Sequence, residues 1–453
     1  MKQEEKLYIS GSKTNNGIRI HVLDKSYDIE FPSPIWETTA PQMQQFLVEN
    51  MTYAETHFLP LMLGKKTIVY NIPQPFLESF FFKNQLYDLQ YCAIADRIDQ
   101  LEYMRNFYNL SYEFSPKPAT LPVFPNAYPR KNKKPVALLP FTFGKECLVT
   151  LGLTLELGIE PVLIYLQEPA HPYEEKYKLK KLKELSSLLH IDAHFVRHDP
   201  GLFRYGKAFG LKNDTELGWA GQTTLLTLLM LPFAWHYGAS YMLYGSEYSN
   251  NDIDRINGWD VFYSYDQTHF WTQAQNNIIR LATGGNCEVK SLLEPLEELA
   301  IFSTLHTRYP ELGKMQFSCH GKDKLFNNSS WCHRCYKCGR TYLFALATGI
   351  DPSSIGFEKD VLKEKNILEH YFAGAPEYER DLDYAFYILA KKLPSHPLTK
   401  VFKKRMAPKL RPEQWYKQHF NTLQIQDDLP EKYAKKLVSI YKKQLRMFKK
   451  SVV

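Results

Sequence analysis

Residues 135–245 alternate short apolar runs with longer amphipathic stretches, and this alternation constrains the fold more than any other feature of the chain. The stretches between the runs have the period of helices of roughly 10–17 residues. Strands that alternate with helices predict βαβ units, and hence an α/β fold with a doubly wound parallel sheet. Ligands of such sheets bind beyond the carboxyl ends of the strands, so the residues after each run are site candidates. The four runs are PVALLPF, PVLIYL, IDAHFVR and SYMLYG.

The regions on either side of this alternation differ from it. Residues 1–130 predict an N-terminal α+β domain, with an antiparallel sheet from KLYIS, IRIHVLD and YDIEF and a helix from Met43 to about Leu59. An amphipathic stretch from Gln85 to Tyr108 predicts one long helix. The segment KPATLPVFPNAYPRKNKKP, rich in proline, predicts a linker to a second domain at 131–350. Residues 351–453 predict a basic helical C-terminal region.

Positive charge is concentrated in that C-terminal region. The chain carries a net charge of +7, whereas residues 391–453 hold 17 basic and 4 acidic residues, a net of +13. Such an end is typical of proteins that contact polyanions, and tRNA is the partner we consider. The alternative is the solvated face of an amphipathic helix. Apolar residues recur there at helical spacing: Tyr433, Leu437, Ile440, Tyr441 and Leu445.

Composition excludes several protein classes. Hydrophobic residues make up 44% of the chain and aromatic residues 14%, which excludes a disordered or low-complexity chain. The longest apolar run, from Thr223 to Ala234, is shorter than the roughly 18 residues that a membrane span needs, and MKQEEKLYIS lacks the apolar core of a secretory signal. Seven cysteines do not form a disulfide framework. We expect a cytoplasmic protein that is not embedded in a membrane.

The loop after the first run carries the first chemical motif. A glycine before a helix allows backbone amides to approach an anion, and the helix N-terminus and a lysine both favour negative charge. A Walker A loop is excluded, because Leu139 stands at its first glycine and Glu146 at its Ser/Thr. A plain turn is the alternative interpretation. The motif comprises Thr142, Phe143, Gly144, Lys145, Glu146 and Cys147.

A cysteine cluster is the most specific motif of the chain. Cys319 is followed by Cys332-His-Arg-Cys335-Tyr-Lys-Cys338, which is two consecutive C-x-x-C steps. This spacing allows four thiolates to hold one tetrahedral ion, so we predict a structural zinc site, with an iron–sulfur cluster as the rival. His320 and His333 could each replace one thiol.

A polar stretch follows the fourth run, where a parallel sheet would place a ligand. It begins Gly245-Ser246-Glu247-Tyr-Ser-Asn-Asn-Asp252 and continues to Asp266 and His269. Its carboxylates suit Mg²⁺ or contact with a substrate, and a hydrated loop with Asn turns is the alternative.

Taken in order, these motifs resemble those of the PP-loop ATPases of the adenine-nucleotide α-hydrolase-like (HUP) superfamily. TFGKEC occupies the position of that family's S-G-G-x-D-S loop, with Phe143, Glu146 and Cys147 in place of its Gly, Asp and Ser. The cysteine segment is similar to that of 7-cyano-7-deazaguanine synthases. The chain length, GSEYSNN and SWCHRCYKC look more like the ATP-dependent epimerases of UDP-MurNAc-L-alanyl-L-glutamate.

The resemblance implies ATP and Mg²⁺ as cofactors and cleavage of ATP to AMP and pyrophosphate, with a substrate carboxylate adenylated. It implies that the TFGKEC loop, Gly245 and Ser246 bind the nucleotide, with Gly144 and Lys145 cradling the pyrophosphate. Glu146 or Glu247 would hold Mg²⁺. The general base is left open among Glu247, Asp252, Asp266 and His269.

The leading hypothesis is epimerisation of the terminal L-Glu of a UDP-MurNAc-dipeptide. A 7-deazaguanine-type ligase and a tRNA thiolase with Cys147 as sulfur carrier are the enzymatic alternatives. A zinc-stapled nucleic-acid-binding protein, in which tail aromatic side chains stack on bases, is the non-enzymatic one. The aromatic residues in question are Tyr416, Phe420, Tyr433 and Phe448.

Overall fold

A computed structural model describes residues 6–124, 127–129, 134–170, 172–319, 330–363, 380–424 and 427–452. His320 and part of the predicted linker lie outside these ranges. The strands are β1 Lys6–Lys13, β2 Gly17–Val22, β3 Lys25–Glu30, β4 Thr67–Tyr70, β5 Ser111–Glu113, β6 Val136–Pro140, β7 Glu160–Gln167, β8 Asp192–His198, β9 Tyr241–Tyr244, β10 Ile253–Ile256, β11 Trp259–Phe262 and β12 Glu288–Ser291.

Helices occupy much of the remaining chain, and short 3₁₀ turns connect several of them. The α-helices are α1 Ser33–Thr38, α2 Pro41–Thr56, α3 Leu59–Leu63, α4 Glu78–Asp96, α5 Gln100–Tyr108, α6 Lys145–Glu156, α7 Pro172–Leu189, α8 Gln222–Leu229, α9 Leu231–Tyr237, α10 His269–Ala282, α11 Glu298–Arg308, α12 Pro310–Gly313, α13 Tyr336–Thr348, α14 Arg380–Lys392, α15 Pro397–Arg405, α16 Glu413–Phe420 and α17 Ala434–Ser451.

Ten of the described strands form one mostly parallel sheet, which confirms the predicted α/β class. The strand order is β12-β9-β6-β7-β8-β3-β2-β1-β4-β5. The first five strands are mutually parallel, β8 to β1 are antiparallel, and β1, β4 and β5 are parallel again. Counted along the chain from β6, the parallel half has the order 5-4-1-2-3. The direction of the connections therefore reverses between β6 and β9, and a crevice opens there beyond the strand ends.

Both faces of the parallel half are covered, as a doubly wound sheet requires. Alternate residues of β6 face opposite cores, because successive side chains of a strand point to opposite sides. Val136 and Leu138 pack with the N-terminal sheet, α2, α8 and α9. Ala137 and Leu139 pack with α6, α11 and the C-terminal helices.

The N-terminal region matches its predicted elements in most places. β1, β2 and β3 form the expected antiparallel sheet, and α2 is the expected helix. The stretch from Gln85 to Tyr108 is not one helix, because Arg97 adopts a left-handed conformation that ends α4, and Asp99 caps α5. This sheet continues into the parallel half through β3 and β8. The domain boundaries at 130 and 350 stay predictions.

The C-terminal helices complete one core and leave a basic face outside. On α17 the apolar residues are buried and the lysines are exposed, which favours the amphipathic-helix interpretation of the tail. Stacking of the tail aromatics on bases is wrong for this structure, because they lie in the core. The buried aromatics are Tyr416, Phe420, Tyr433 and Phe448.

One segment, Leu217–Tyr237, is long and apolar enough to span a membrane by length and composition alone. Of its most apolar window, 72% is buried inside the structure. The segment contains α8 and α9, which are separated at Met230. This burial is what a core helix shows.

Candidate functional site

The loops after β6 and β9 meet at the crevice between these two strands. Gly144 caps α6. Any residue can adopt its φ of −66°, so glycine matters here because it leaves space beside the first turn of the helix. At Gly245, in contrast, the close approach of the two loops requires glycine. A Cβ at Gly245 would lie 2.8 Å from the Cβ of Glu146 and 3.0 Å from its backbone carbonyl carbon, which allows the two loops to touch.

Lys145 is buried among three carboxylates. Its Nζ forms an ion pair with Glu146, lies 2.6 Å from Oε1 of Glu298 and lies 3.5 Å from Oε2 of Glu247. One oxygen from each carboxylate lies within 4.8 Å of the others. The Oε2 atom of Glu247 is buried and has no hydrogen-bond partner among the described residues. Carboxylates that converge in this way are ligands for a hard cation, and in this structure the cation among them is the Lys145 ammonium.

The surroundings shift the pKa values of two of these carboxyl groups in opposite directions. Burial opposes ionisation of Glu146, but the neighbouring Lys145 ammonium outweighs it and lowers the pKa of Glu146. Burial raises the pKa of Glu247, and Lys145 offsets only part of that effect. Glu146 is therefore the more readily ionised group of the two.

A cavity of about 210 Å³ opens beside the first turn of α6. Its wall includes Thr142, Gly144, Lys145 and Glu146 from the predicted loop. Positive side chains surround it on several elements, so an anion of several charges fits between them. The cationic lining residues are Lys145, Lys178, Lys337 and Arg340.

Phe143 does not line this cavity, although the resemblance placed it among the nucleotide-binding residues. Its ring is fully buried and packs edge-on against Phe141, with ring centroids 4.9 Å apart. Its φ is +62°, a conformation that bulky residues rarely adopt. Its carbonyl accepts a hydrogen bond from the Phe317 amide at 2.8 Å. Phe143 therefore attaches the loop to the core and to the segment before Cys319.

The side chain of Cys147 forms hydrogen bonds within the same loop. Its thiol donates to the Gly144 carbonyl at 3.2 Å, and its sulfur accepts from the Thr142 amide at 3.5 Å. A position at a helix N-terminus favours a lowered thiol pKa. Burial is the larger effect and raises the pKa of Cys147 to about 11, so a thiolate nucleophile is disfavoured.

The four cysteines of the C-x-x-C motif converge. The Sγ of Cys338 lies 3.5 Å from that of Cys335 and 3.7 Å from those of Cys319 and Cys332. Four sulfurs about 2.3 Å from one tetrahedral ion would be about 3.8 Å apart, so the observed spacing fits a single ion. A cubane cluster binds each cysteine to a different iron and needs wider spacing.

The backbone around this cluster is that of a metal knuckle. Sulfur atoms accept amide hydrogens, from Cys332 to Cys319 at 3.3 Å and from Arg334 to Cys332 at 3.5 Å. His333 has a φ of +60°, and its Nε2 accepts from the Glu358 amide at 3.2 Å, so it does not replace a thiol. Cys319 also lines the cavity at Lys145, so the cluster packs against the parallel half of the sheet and its helices.

The remaining predicted residues lie at different places. The carbonyl of Ser246 accepts a hydrogen bond from the Ser291 hydroxyl at 2.8 Å, which holds the backbone next to Glu247. Asp252 pairs with Arg380 on α14, and burial raises the pKa of Asp252 to about 7. Asp266 is not brought to the cavity at Lys145. It accepts from the Thr223 amide at 2.8 Å and lines a separate cavity with Asp88.

Sequence reasoning missed the acidic segment after β12. Glu297 and Glu298 begin α11, and Glu298 completes the carboxylate group around Lys145. Burial raises the pKa of Glu297 to about 7, and this side chain pairs with His419. The signal was present in SLLEPLEELA, where carboxylates follow a short strand. Arg340 of the same site stands two residues after the last cysteine and pairs with Glu298.

No protein-family model matches this chain, and no curated protein matches it.

Proposed function

We propose that the chain is an AMP-forming, ATP-dependent enzyme that adenylates a substrate carboxylate. The observation that carries the proposal is the cavity at the crevice between β6 and β9. There the N-terminus of α6, four cationic side chains and the carboxylates of Glu146 and Glu298 line one space, and Glu247 lies beside it, 3.5 Å from Lys145. Polyphosphate and a divalent cation are the ligands that such a combination attracts. The motif resemblance adds the reaction class.

The residues present fit both ATP and Mg²⁺. Glu146, Glu247 and Glu298 would hold the cation, which when bound neutralises phosphate oxygens. The cationic residues around the cavity would hold pyrophosphate as it leaves: Lys145, Lys178, Lys337 and Arg340. Glu146, one methylene longer than the Asp of the resembled loop, would reach the ion directly or through water.

The proposed chemistry begins with attack of a substrate carboxylate oxygen on the α-phosphorus of ATP. The bond between the α-phosphorus and the bridging oxygen breaks, and pyrophosphate leaves. The resulting acyl-adenylate no longer carries the carboxylate charge, so its α-proton becomes more acidic. For the terminal L-Glu of a UDP-MurNAc-dipeptide, removal and return of that proton would give the epimeric acyl-adenylate. Attack of water on its acyl carbon would then release AMP and restore the carboxylate. We also propose that the four cysteines hold a structural Zn²⁺.

Among the candidate bases, the structure favours those near Lys145 or on the adjoining loop. Because Glu247 would hold the cation, Asp252, which follows on the same loop and pairs with Arg380, is the better candidate there. Burial raises the pKa of Asp252 to about 7, which suits a group that takes up a proton near neutral pH. Asp266 lines another cavity and is the weakest of the four candidates.

The test is release of AMP and pyrophosphate from ATP with a panel of carboxylate metabolites that includes UDP-MurNAc-L-Ala-L-Glu. Deuterium incorporation at the α-carbon in D₂O, followed by NMR, reports epimerisation. Lys145→Ala should cost about 1.5–3 kcal/mol in ATP binding or turnover, because it removes a charge-assisted contact. Glu247→Gln tests the cation site while it keeps the shape of the side chain.

Lys180→Ala is the matched control, since Lys180 lies on α7 with Lys178 but has a side chain that is 77% exposed. It should behave as wild type. The proposal is abandoned when no acid supports pyrophosphate release, or when Lys145→Ala and Glu247→Gln both bind ATP normally.

The same screen separates the alternatives. Release of pyrophosphate only with a deazapurine carboxylate indicates a 7-deazaguanine-type ligase, and release only with tRNA indicates a thiolase. Salt-sensitive tRNA binding without turnover indicates the nucleic-acid-binding alternative, which would use the exposed cations of α17. Those cations are Lys435, Lys436, Lys442, Lys443, Arg446, Lys449 and Lys450.

A further inference from the structure

A second group of potential metal ligands lies at the same edge of the sheet, outside the cysteine cluster and the carboxylates around Lys145. It consists of His269, Glu294 and Asp428. His269 is the first residue of α10, Glu294 lies in the loop after β12, and Asp428 comes from the segment before α17. Three parts of the chain that are distant in sequence therefore contribute one side chain each.

The facing atoms are close together. Nδ1 of His269 lies 2.6 Å from Oδ2 of Asp428 and 3.6 Å from Oε2 of Glu294. One atom from each side chain lies within 4.8 Å of the others. Glu294 is 1% exposed and Asp428 is 6% exposed. Two carboxylates and one imidazole thus share a space from which water is largely excluded.

As two carboxylates and an imidazole, these groups do not satisfy one another by hydrogen bonding, and only a proton shared between Glu294 and Asp428 would pair the two carboxyl groups. Nδ1 of His269, Oε2 of Glu294 and Oδ2 of Asp428 are each buried without a hydrogen-bond partner among the described residues. The 2.6 Å contact of His269 with Asp428 lacks the direction of a hydrogen bond, although its length is short enough. Buried polar atoms are normally paired, so three that face one point need a common partner.

Neighbouring residues hold the three side chains in place. Asn251 accepts from the His269 amide at 2.7 Å and donates to Oε1 of Glu294 at 3.4 Å. The side-chain amide of Gln273 lies 2.9 Å from Nε2 of His269, on the side of the ring away from the carboxylates. The same amide nitrogen of Gln273 donates to Oδ1 of Asp428 at 3.4 Å, so Gln273 contacts two of the three side chains.

We propose that His269, Glu294 and Asp428 bind one divalent transition-metal ion. Two carboxylates balance the charge of such an ion, and an imidazole favours zinc, iron or manganese over magnesium or calcium. Three protein ligands leave at least one position for water, as in catalytic rather than closed structural sites. This site shares no side chain with the carboxylates around Lys145 or with the cysteine cluster, and a metal-bound His269 would not serve as the general base of the proposed reaction.

The test uses Co²⁺ added, in excess Mg²⁺ that occupies the carboxylates around Lys145, to full-length protein whose cysteine site is first loaded with Zn²⁺. Cobalt bound by thiolates shows a sulfur-to-metal charge-transfer band, whereas cobalt bound by nitrogen and oxygen shows only weaker d–d bands. We expect one saturable equivalent per chain without the charge-transfer band, measured by absorption and by calorimetry. Asp428→Asn and His269→Ala should each weaken that binding at least tenfold.

Asp427→Asn is the matched control, because Asp427 is the adjacent, exposed carboxylate. It should bind cobalt as wild type does. Circular dichroism confirms that each variant is folded, and the conservative Asp428→Asn carries the conclusion where His269→Ala does not fold. The proposal is overturned by the absence of saturable cobalt binding, by cobalt that only replaces zinc on the thiolates, or by unchanged affinity in folded Asp428→Asn.

Discussion

Phe143 combines an unfavourable backbone conformation with a fully buried ring. A left-handed φ of +62° costs roughly 1–2 kcal/mol for a residue with a Cβ, and burial of the ring offsets that cost. Strain of this kind collects at functional loops. Here it turns the chain so that the carbonyl of Phe143 meets Phe317 while the next two residues line the cavity.

This balance predicts an unusual order of stabilities. Phe143→Ala should lower the free energy of unfolding by about 3–5 kcal/mol, because it empties a packed site and keeps the strain. Phe143→Gly also empties the site but removes the strain, so it should be about 1 kcal/mol more stable than Phe143→Ala. Urea unfolding of both variants measures the difference. A glycine variant less stable than the alanine variant would show that φ at this position is not strained.

At the scale of single elements, the break between α4 and α5 offers a stabilising substitution. Arg97 ends α4 at φ +60°, its side chain is exposed, and its amide bonds to the carbonyls of Ala93 and Ile94. Arg97→Gly should raise the free energy of unfolding by about 0.5–1 kcal/mol, because glycine adopts this conformation without strain. Arg97→Ala removes the same side chain and should give no gain. Equal stability of the two variants in urea would contradict the prediction.

The start of α13 depends on the cysteine cluster. Cys335 caps this helix, and Cys338 lies in its first turn, so the metal that we propose would join the helix to the segment before Cys319. Cys332→Ser should lose about one metal ion per chain and lower the thermal midpoint strongly, because metal binding is coupled to folding. Elemental analysis and thermal unfolding test this. Wild-type protein without zinc or iron after careful purification would contradict it, and Cys92→Ser is a control for loss of a buried thiol.

The residues of each strand explain whether it could be predicted from the sequence. β6, β7 and β9 were predicted because each is largely a run of consecutive apolar residues, which a parallel strand covered on both faces requires. β12, with the sequence EVKS, was missed because only Val289 and Ser291 are buried and both neighbours are charged. The acidic residues that follow β12 were therefore not recognised as site residues. Long-range convergence, as of Glu294 with Asp428, leaves no local pattern in a sequence.

At the scale of the whole molecule, the N-terminal sheet and the parallel half are joined at one strand pair, β3 with β8, which we call the seam. β3 pairs with β8 through only two residue pairs, Ile29 with His198 and Glu30 with Arg197. Such a short antiparallel contact contributes few hydrogen bonds. Burial therefore carries much of the connection, and apolar residues of both halves belong to one core.

A buried charge network lies directly at this seam. Nε2 of His198 lies 2.6 Å from Glu55 on α2, and Nδ1 lies 3.4 Å from Glu168 after β7. Arg204 pairs with the same Glu168 at 2.7 Å. Burial alone would lower the pKa of His198, but Glu55 and Glu168 outweigh it and raise the pKa to about 9.

The last prediction follows from the sign of that shift. Below pH 6.5 His198 is protonated in both the folded and the unfolded chain, so the network contributes fully to stability. As the pH rises from 6.5 to about 9, the unfolded chain has lost the proton while the folded chain keeps it, so the contribution declines and is lost above 9. The free energy of unfolding should fall over this range by on the order of 3 kcal/mol. In urea titrations at several pH values His198→Gln should remove most of this slope, whereas His21→Gln, at an exposed position, should keep it. A wild-type slope that survives in His198→Gln would assign the pH dependence to other groups and leave the seam to apolar packing alone.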